Sequence, residues 1–149
     1  MTTIVKTDST NLDFQSLVKE LDAYLKTTDG DDHDFYNQYN GLEDIKHVLV
    51  AYVDEKPIGC GAIKKFDTNA VELKRMYVKL EKRGSGIAKQ ILTFLEEWAK
   101  ETGFQKCMLE TGRRQVEAVK FYEKSGYKRI PNYGQYVQME NSICFKKTL

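Results

Sequence analysis

Met76-Tyr77-Val78-Lys79-Leu80-Glu81-Lys82-Arg83-Gly84-Ser85-Gly86-Ile87-Ala88 passes from a strand-like tripeptide, through a short basic loop with two glycines, into the first turn of an amphipathic helix. That order builds a cradle for a diphosphate. Glycine lets the backbone come close and turn its N–H groups toward phosphate oxygens. The helix start adds amide donors without intrahelical partners and the positive end of the macrodipole. Lys82 and Arg83 add formal charge. The segment therefore predicts an anionic ligand at this loop and a strand–loop–helix unit at the centre of the fold.

Downstream of the loop, Ile87, Ala88, Ile91, Leu92, Leu95, Trp98 and Ala99 recur at helical spacing, and Gly103 stands where that helix should end. Lys106 to Glu110 reads as a strand, and Arg113 to Lys124 as a helix closed by Gly126. Tyr127 to Ile130 and Ser142 to Lys147 read as two further strands, joined by a loop rich in Tyr, Asn and Gln. Upstream, Val71 to Leu80 is a strand, preceded by a hairpin of His47 to Val53 and Ile58 to Lys65 around Asp54-Glu55-Lys56-Pro57. Residues 3–7 form a first strand. Ser9, Thr10 or Asn11 caps a helix whose buried face is Phe14, Leu17, Val18, Leu21 and Leu25. A second helical piece over 33–46 carries Phe35, Tyr36, Tyr39, Leu42 and Ile45. The order β-α-α-β-β-β-α-β-α-β-β predicts an α/β fold. The expected architecture is a single mixed, mostly antiparallel twisted sheet with a central parallel strand pair and helices on both faces.

The 149 residues fit one domain, 1–149, able to bury a core without staples. The 23 Lys plus Arg nearly balance the 22 Asp plus Glu, so no global charge points to nucleic acid or an acidic membrane surface. Cys60, Cys107 and Cys144 lie in apolar runs without Cys-x-x-Cys or Cys/His spacing and read as buried free thiols. His33 and His47 form no local metal motif, and no metal is expected. No apolar run reaches the roughly 20 residues of a membrane span, and the N-terminus lacks a signal-peptide apolar region. A cytoplasmic protein is the expectation.

Three phosphate-loop chemistries compete for residues 82–89. A P-loop requires Gly-Lys-Ser/Thr after four spacers, and none is present. A dinucleotide loop requires G-x-G-x-x-G, but Lys89 occupies the third glycine position, and the loop follows several elements instead of opening the domain. The third pattern, Arg83-x-x-Gly86-x-Ala88 after Met76-Tyr77-Val78, resembles the acetyl-CoA motif R/Q-x-x-G-x-G/A of the GNAT superfamily of N-acetyltransferases. Ala118-Val119-Lys120-Phe121-Tyr122-Glu123-Lys124-Ser125-Gly126-Tyr127 is similar to that family's second signature, A-x-x-F/L-Y-x-x-x-G-F/Y. The string Glu72 to Val78 and the element order along nearly the whole chain share the likeness.

The resemblance implies acetyl-CoA as cosubstrate and direct acetyl transfer to an amine. It implies that Met76, Tyr77 and Val78 meet the pantetheine arm, with the backbone of Met76 and Val78 pairing its amides. Arg83, Gly84, Ser85, Gly86, Ile87 and Ala88 would hold the pyrophosphate. Gln115 stands where the family often has an asparagine contacting pantetheine, one methylene longer. Tyr122 would protonate the departing thiolate, a role that suits a phenol. Glu72 is the candidate general base, with a strand face expected to be shared by Lys74, Met76 and Val78; Glu110 is a second possibility. Tyr36 and Tyr39 in the helical region, and Tyr133 and Tyr136 in the last loop, are candidates to shape the acceptor side. A small-molecule amine is the favoured acceptor. The alternatives are a protein lysine or N-terminus, or a CoA-binding regulatory module without catalysis. Relatives of this kind are often homodimers.

Overall fold

The computed structural model of the protein describes residues 2–30 and 45–149. Seven strands form one sheet in the order β1-β2-β3-β4-β5-β7-β6. They are β1 (Thr2–Thr7), β2 (His47–Val53), β3 (Lys56–Lys65), β4 (Ala70–Val78), β5 (Lys106–Gly112), β6 (Lys128–Ile130) and β7 (Ser142–Thr148). All neighbours are antiparallel except β4 and β5, the central parallel pair. The described α-helices are α1 (Leu12–Asp29), α2 (Ile87–Glu101) and α3 (Val116–Lys124), with short 3-10 turns at Leu80–Lys82 and Gly134–Tyr136. The second helical piece expected over 33–46 lies outside the described residues, apart from a non-helical Ile45-Lys46.

One face of the sheet packs against α1. Phe14, Leu17 and Val18 are buried there over Val48, Val50, Cys60 and Ala62. Each such apolar side chain contributes roughly 1.5–3 kcal/mol when withdrawn from water. Asn11 is the cap: its side chain accepts from the Phe14 N–H at 2.9 Å. Ser9 instead binds Ile45, accepting its N–H at the hydroxyl and donating its own N–H to the Ile45 carbonyl. On the opposite face α2 buries Ile87, Ile91, Leu92, Leu95 and Ala99, and α3 contributes Val119 and Tyr122. Gly59 and Gly61 on β3 let α2 approach the sheet; a Cβ at Gly61 would stand 2.9 Å from Leu95 Cδ1. The helix expected from Arg113 begins only at Val116. The Arg113 N–H and guanidinium are both tied to the 140–141 backbone, which holds residues 113–115 in a turn.

The parallel pairing covers only Ala70–Glu72 against Lys106–Met108. Beyond it β4 continues to Val78 and β5 to Gly112 without meeting. The cause lies in β4. Across from β3, Gly61 alone opposes both Arg75 and Met76, and Arg75 has φ +57°. This bulge shifts the strand's alternation by one residue. The expectation that Glu72, Lys74, Met76 and Val78 share a face is therefore corrected. Lys74 pairs with Ala62 of the α1-side core, and Glu72 turns the same way. Met76 and Val78 instead pack with the α2-side core, and Tyr77 returns to the α1 side.

The β2–β3 hairpin turns on Asp54 and Glu55, both left-handed at φ +51° and +66°. Side chains are disfavoured there, where glycine fits at no steric cost. Glu55→Gly is expected to raise unfolding free energy by about 1 kcal/mol in urea denaturation; a loss of stability would contradict the strain.

Candidate active site

The gap between β4 and β5 opens into two adjoining cavities, each walled by residues from both faces of the sheet. The first, about 130 Å³, is lined from β4 by Glu72 to Met76, from β5 by Leu109 to Gly112, and by Tyr136. The second, about 300 Å³, is lined by Met76, Tyr77, Val78, Arg83, Gly84, Ala88, Glu117 and Phe121, with Tyr24 of α1. Five residues line both: Leu21, Met76, Gln115, Ala118 and Tyr122. Tyr122 thus stands where the cavities meet.

The glycine loop borders the second cavity. Gly84 and Gly86 have φ +83° and +84°, and no atom beyond their chain neighbours lies within 4 Å of where a Cβ would stand. Both observations favour glycine and leave open space at the loop. Gly86 caps α2 without a side-chain hydrogen bond, and the first turn of α2 has no acidic residue. Its amide donors and positive dipole end are left for an anion. Arg83 donates from Nε to the Val78 carbonyl at 3.0 Å, and its guanidinium sits 5.3 Å from the Tyr24 ring and 5.9 Å from that of Tyr77. Among the described residues the arginine is held by one nitrogen, which leaves its other donors toward the second cavity. Ile87 differs from its neighbours: its side chain is buried in the core. The Ser85 hydroxyl donates to the Lys82 carbonyl at 2.5 Å.

On the other side, Tyr133 donates to Glu72 Oε2 at 2.7 Å, and Lys74 Nζ lies 3.6 Å from Glu72 Oε1. Burial, and after it the Glu72 charge, raises the Tyr133 pKa above the ordinary phenol value. Burial, then Glu110 and Glu72, does the same at Tyr136. Glu72, Glu110 and Tyr136 line the first cavity, while Tyr133 does not border it and joins the group through its hydrogen bond to Glu72. Tyr36 and Tyr39 lie outside the described residues. Burial raises the Tyr122 pKa above 10, so its hydroxyl carries a proton at neutral pH.

Sequence reasoning missed the α1 contribution. Leu21, Tyr24 and Leu25 line the cavities, yet an apolar helical face carries no mark separating core from cavity wall. It also missed Arg75, which is buried and donates to Asp22 of α1 at 2.7 Å. A signal was present: Lys74-Arg75 puts two charges in succession where an alternating strand should return to an apolar residue.

A mixed sheet parted at the β4–β5 parallel pair, with a glycine loop leading into a helix beside the opening, defines an acyl-CoA N-acyltransferase fold. The sequence model of the Acetyltransferase (GNAT) family matches residues 14–127. The IAA acetyltransferase of Azospirillum brasilense is 33% identical over 143 residues, covering 89% of this chain and 88% of that protein. A Klebsiella pneumoniae structure assigned to the acyl-CoA N-acyltransferases superimposes with a TM-score of 0.84 at 27% identity, covering 100% of this chain and 98% of that one. The PaiA N-acetyltransferase of Thermoplasma acidophilum, solved with coenzyme A, shares the fold at a TM-score of 0.74 and 23% identity, covering 100% and 99%. The chain belongs to the GNAT acetyltransferase family. It is an acyltransferase that uses acetyl-CoA.

Burial pushes the Cys60 and Cys107 thiols up to about 12 and Cys144 to about 11. Thiolate is then scarce at about pH 8, and none of the three suits an acyl-enzyme. Iodoacetamide at that pH should leave the native protein active, with three thiols still countable after unfolding; rapid alkylation with loss of activity would contradict this.

Proposed function

We propose that the protein transfers the acetyl group of acetyl-CoA directly to a small-molecule amine, with Tyr122 as proton donor and Glu72 as proton acceptor. The observation that carries this reading is the position of Tyr122 in the shared wall of the two adjoining cavities at the β4–β5 gap. The 300 Å³ side suits the coenzyme. Residues 84–88 and Arg83 would hold its pyrophosphate, and Gln115 would reach the pantetheine arm. The backbone of Met76 and Val78 would pair with the pantetheine amides, because among the described residues this stretch of β4 has no strand partner on its β5 side. The 130 Å³ side suits the reacting end of an acceptor, with Glu72, Glu110 and Tyr136 around it and Tyr133 behind Glu72 as its hydrogen-bond donor.

The amine nitrogen forms a bond to the thioester carbonyl carbon, and the carbon–sulfur bond breaks. Tyr122 gives its proton to the leaving sulfur, and Glu72 receives the proton lost by the amine. The small first cavity and the neutral aromatic surface of Tyr136 favour a compact organic amine over a protein chain. Three free, buried cysteines suit a reducing compartment such as the cytoplasm. No described helix is long and apolar enough to cross a membrane.

Tyr122→Phe should lower kcat by about 10²-fold while the acetyl-CoA Kd stays within a few-fold of the parent; equal turnover with chemistry rate-limiting would remove the assignment. Gly86→Ala forces a side chain into a left-handed conformation. It should weaken acetyl-CoA binding by roughly tenfold in calorimetry; unchanged affinity would separate the loop from the coenzyme.

A further inference from the structure

A polar cluster on the α2 side of the sheet borders neither cavity. The Tyr127 hydroxyl donates to Glu96 Oε2 at 2.7 Å. Lys147 Nζ donates to both oxygens of the same carboxylate, at 3.1 and 3.2 Å. The Glu96 and Lys147 side chains are only 12% and 26% exposed. Three elements meet here: α2 supplies Glu96, the turn after α3 supplies Tyr127, and β7 supplies Lys147. Lys147 Nζ also stands 5.6 Å from the centre of the Tyr127 ring. Burial, then Cys107 and Glu96, raises the Tyr127 pKa, so the phenol stays the donor and the carboxylate the acceptor. A phenylalanine at 127 would fill the same space and leave the Glu96–Lys147 pair in place, but would take one donor from the carboxylate. The cluster therefore does more than fill volume.

What it holds is the neighbour of Tyr122. Gly126, at φ +94°, reverses the chain after α3, and the Tyr127 N–H donates to the Tyr122 carbonyl at 3.0 Å. The two rings then meet edge to face, with centres 5.8 Å apart and planes at 71°. Phe121 and Phe145 close the Tyr122 ring on other sides, at 5.2 and 6.2 Å. The Tyr122 hydroxyl makes no hydrogen bond among the described residues. Its direction is set by these ring contacts alone. Of the three aromatic walls, only Tyr127 is anchored at its far end by a hydrogen bond to another element.

We infer that Glu96 and Lys147, acting through Tyr127, form a positioning cluster that fixes the plane of the Tyr122 ring and aims its hydroxyl at the junction of the cavities. The inference rests on the reading of Tyr122 as proton donor. Tyr127→Phe keeps the ring and releases its tether; Glu96→Gln keeps the shape and removes the charge.

The test measures kcat, KM for acetyl-CoA and thermal unfolding for both variants, in the parent protein and in Tyr122→Phe. In the parent, each substitution should lower kcat by roughly tenfold, with KM for acetyl-CoA within about twofold. In the Tyr122→Phe background the same substitutions should change kcat by less than about twofold, because the hydroxyl they aim is already gone. A folded Tyr127→Phe protein with full kcat overturns the inference, as does an equal loss in both backgrounds, which marks a purely structural role. Should Glu96→Gln fail to fold, Tyr127→Phe decides alone. Undiminished kcat in Tyr122→Phe itself overturns the donor reading, and the positioning role falls with it.

Discussion

The separation of β4 from β5 is the constraint on which the rest of the site depends. The two strands share three register pairs and then diverge, because β4 takes in an extra residue at Arg75. A left-handed arginine costs roughly 1–2 kcal/mol, and a charge-assisted bond such as that to Asp22 is worth about 1.5–3 kcal/mol, enough to offset it. Opposite the bulge stands Gly61, where a Cβ would come within 3.0 Å of the Met76 sulfur. The divergence leaves the sheet intact because each strand keeps its other neighbour. β4 stays paired with β3, and β5 with β7 along its whole length.

Several features follow from that single slip in register. Upstream of it, Glu72 and Lys74 face α1 and join Tyr133 in a polar group. Downstream, Met76 and Val78 face α2 beside the glycine loop. The opening therefore has a charged, hydrogen-bonded side and an amide-rich, cationic side. Tyr122, carried on α3 across the gap, lines both. Without the bulge, β4 would present Glu72, Lys74, Met76 and Val78 to one face, and the two sides could not differ in this way.

Much of this was legible in the sequence, for definable reasons. The α2 face, the glycine loop and the turn at Gly126 are local patterns, each written within about fifteen consecutive residues, and they appear as read. The parallel pair followed from a strand–helix–strand order. The strand alternation failed at Arg75, since it assumes a period of two that a bulge interrupts. The early start given to α3 failed because its 113–115 turn is held by backbone groups of residues 140–141, a partner distant in sequence. The lining residues of α1 were invisible for a similar reason. Leu21 and Leu25 carry the same periodicity as Phe14 and Leu17, and only the gap beneath them distinguishes the two pairs.

The central claim is that the unpaired run of β4 and the mouth of α2 together receive the coenzyme. Hydrogen–deuterium exchange with and without acetyl-CoA reads those amides directly. Slowed exchange confined to residues 76–78 and 84–88, with the β1–β2 amides unchanged, is the predicted result. Unaltered exchange there at saturating acetyl-CoA, with protection arising on another part of the sheet, would contradict the account.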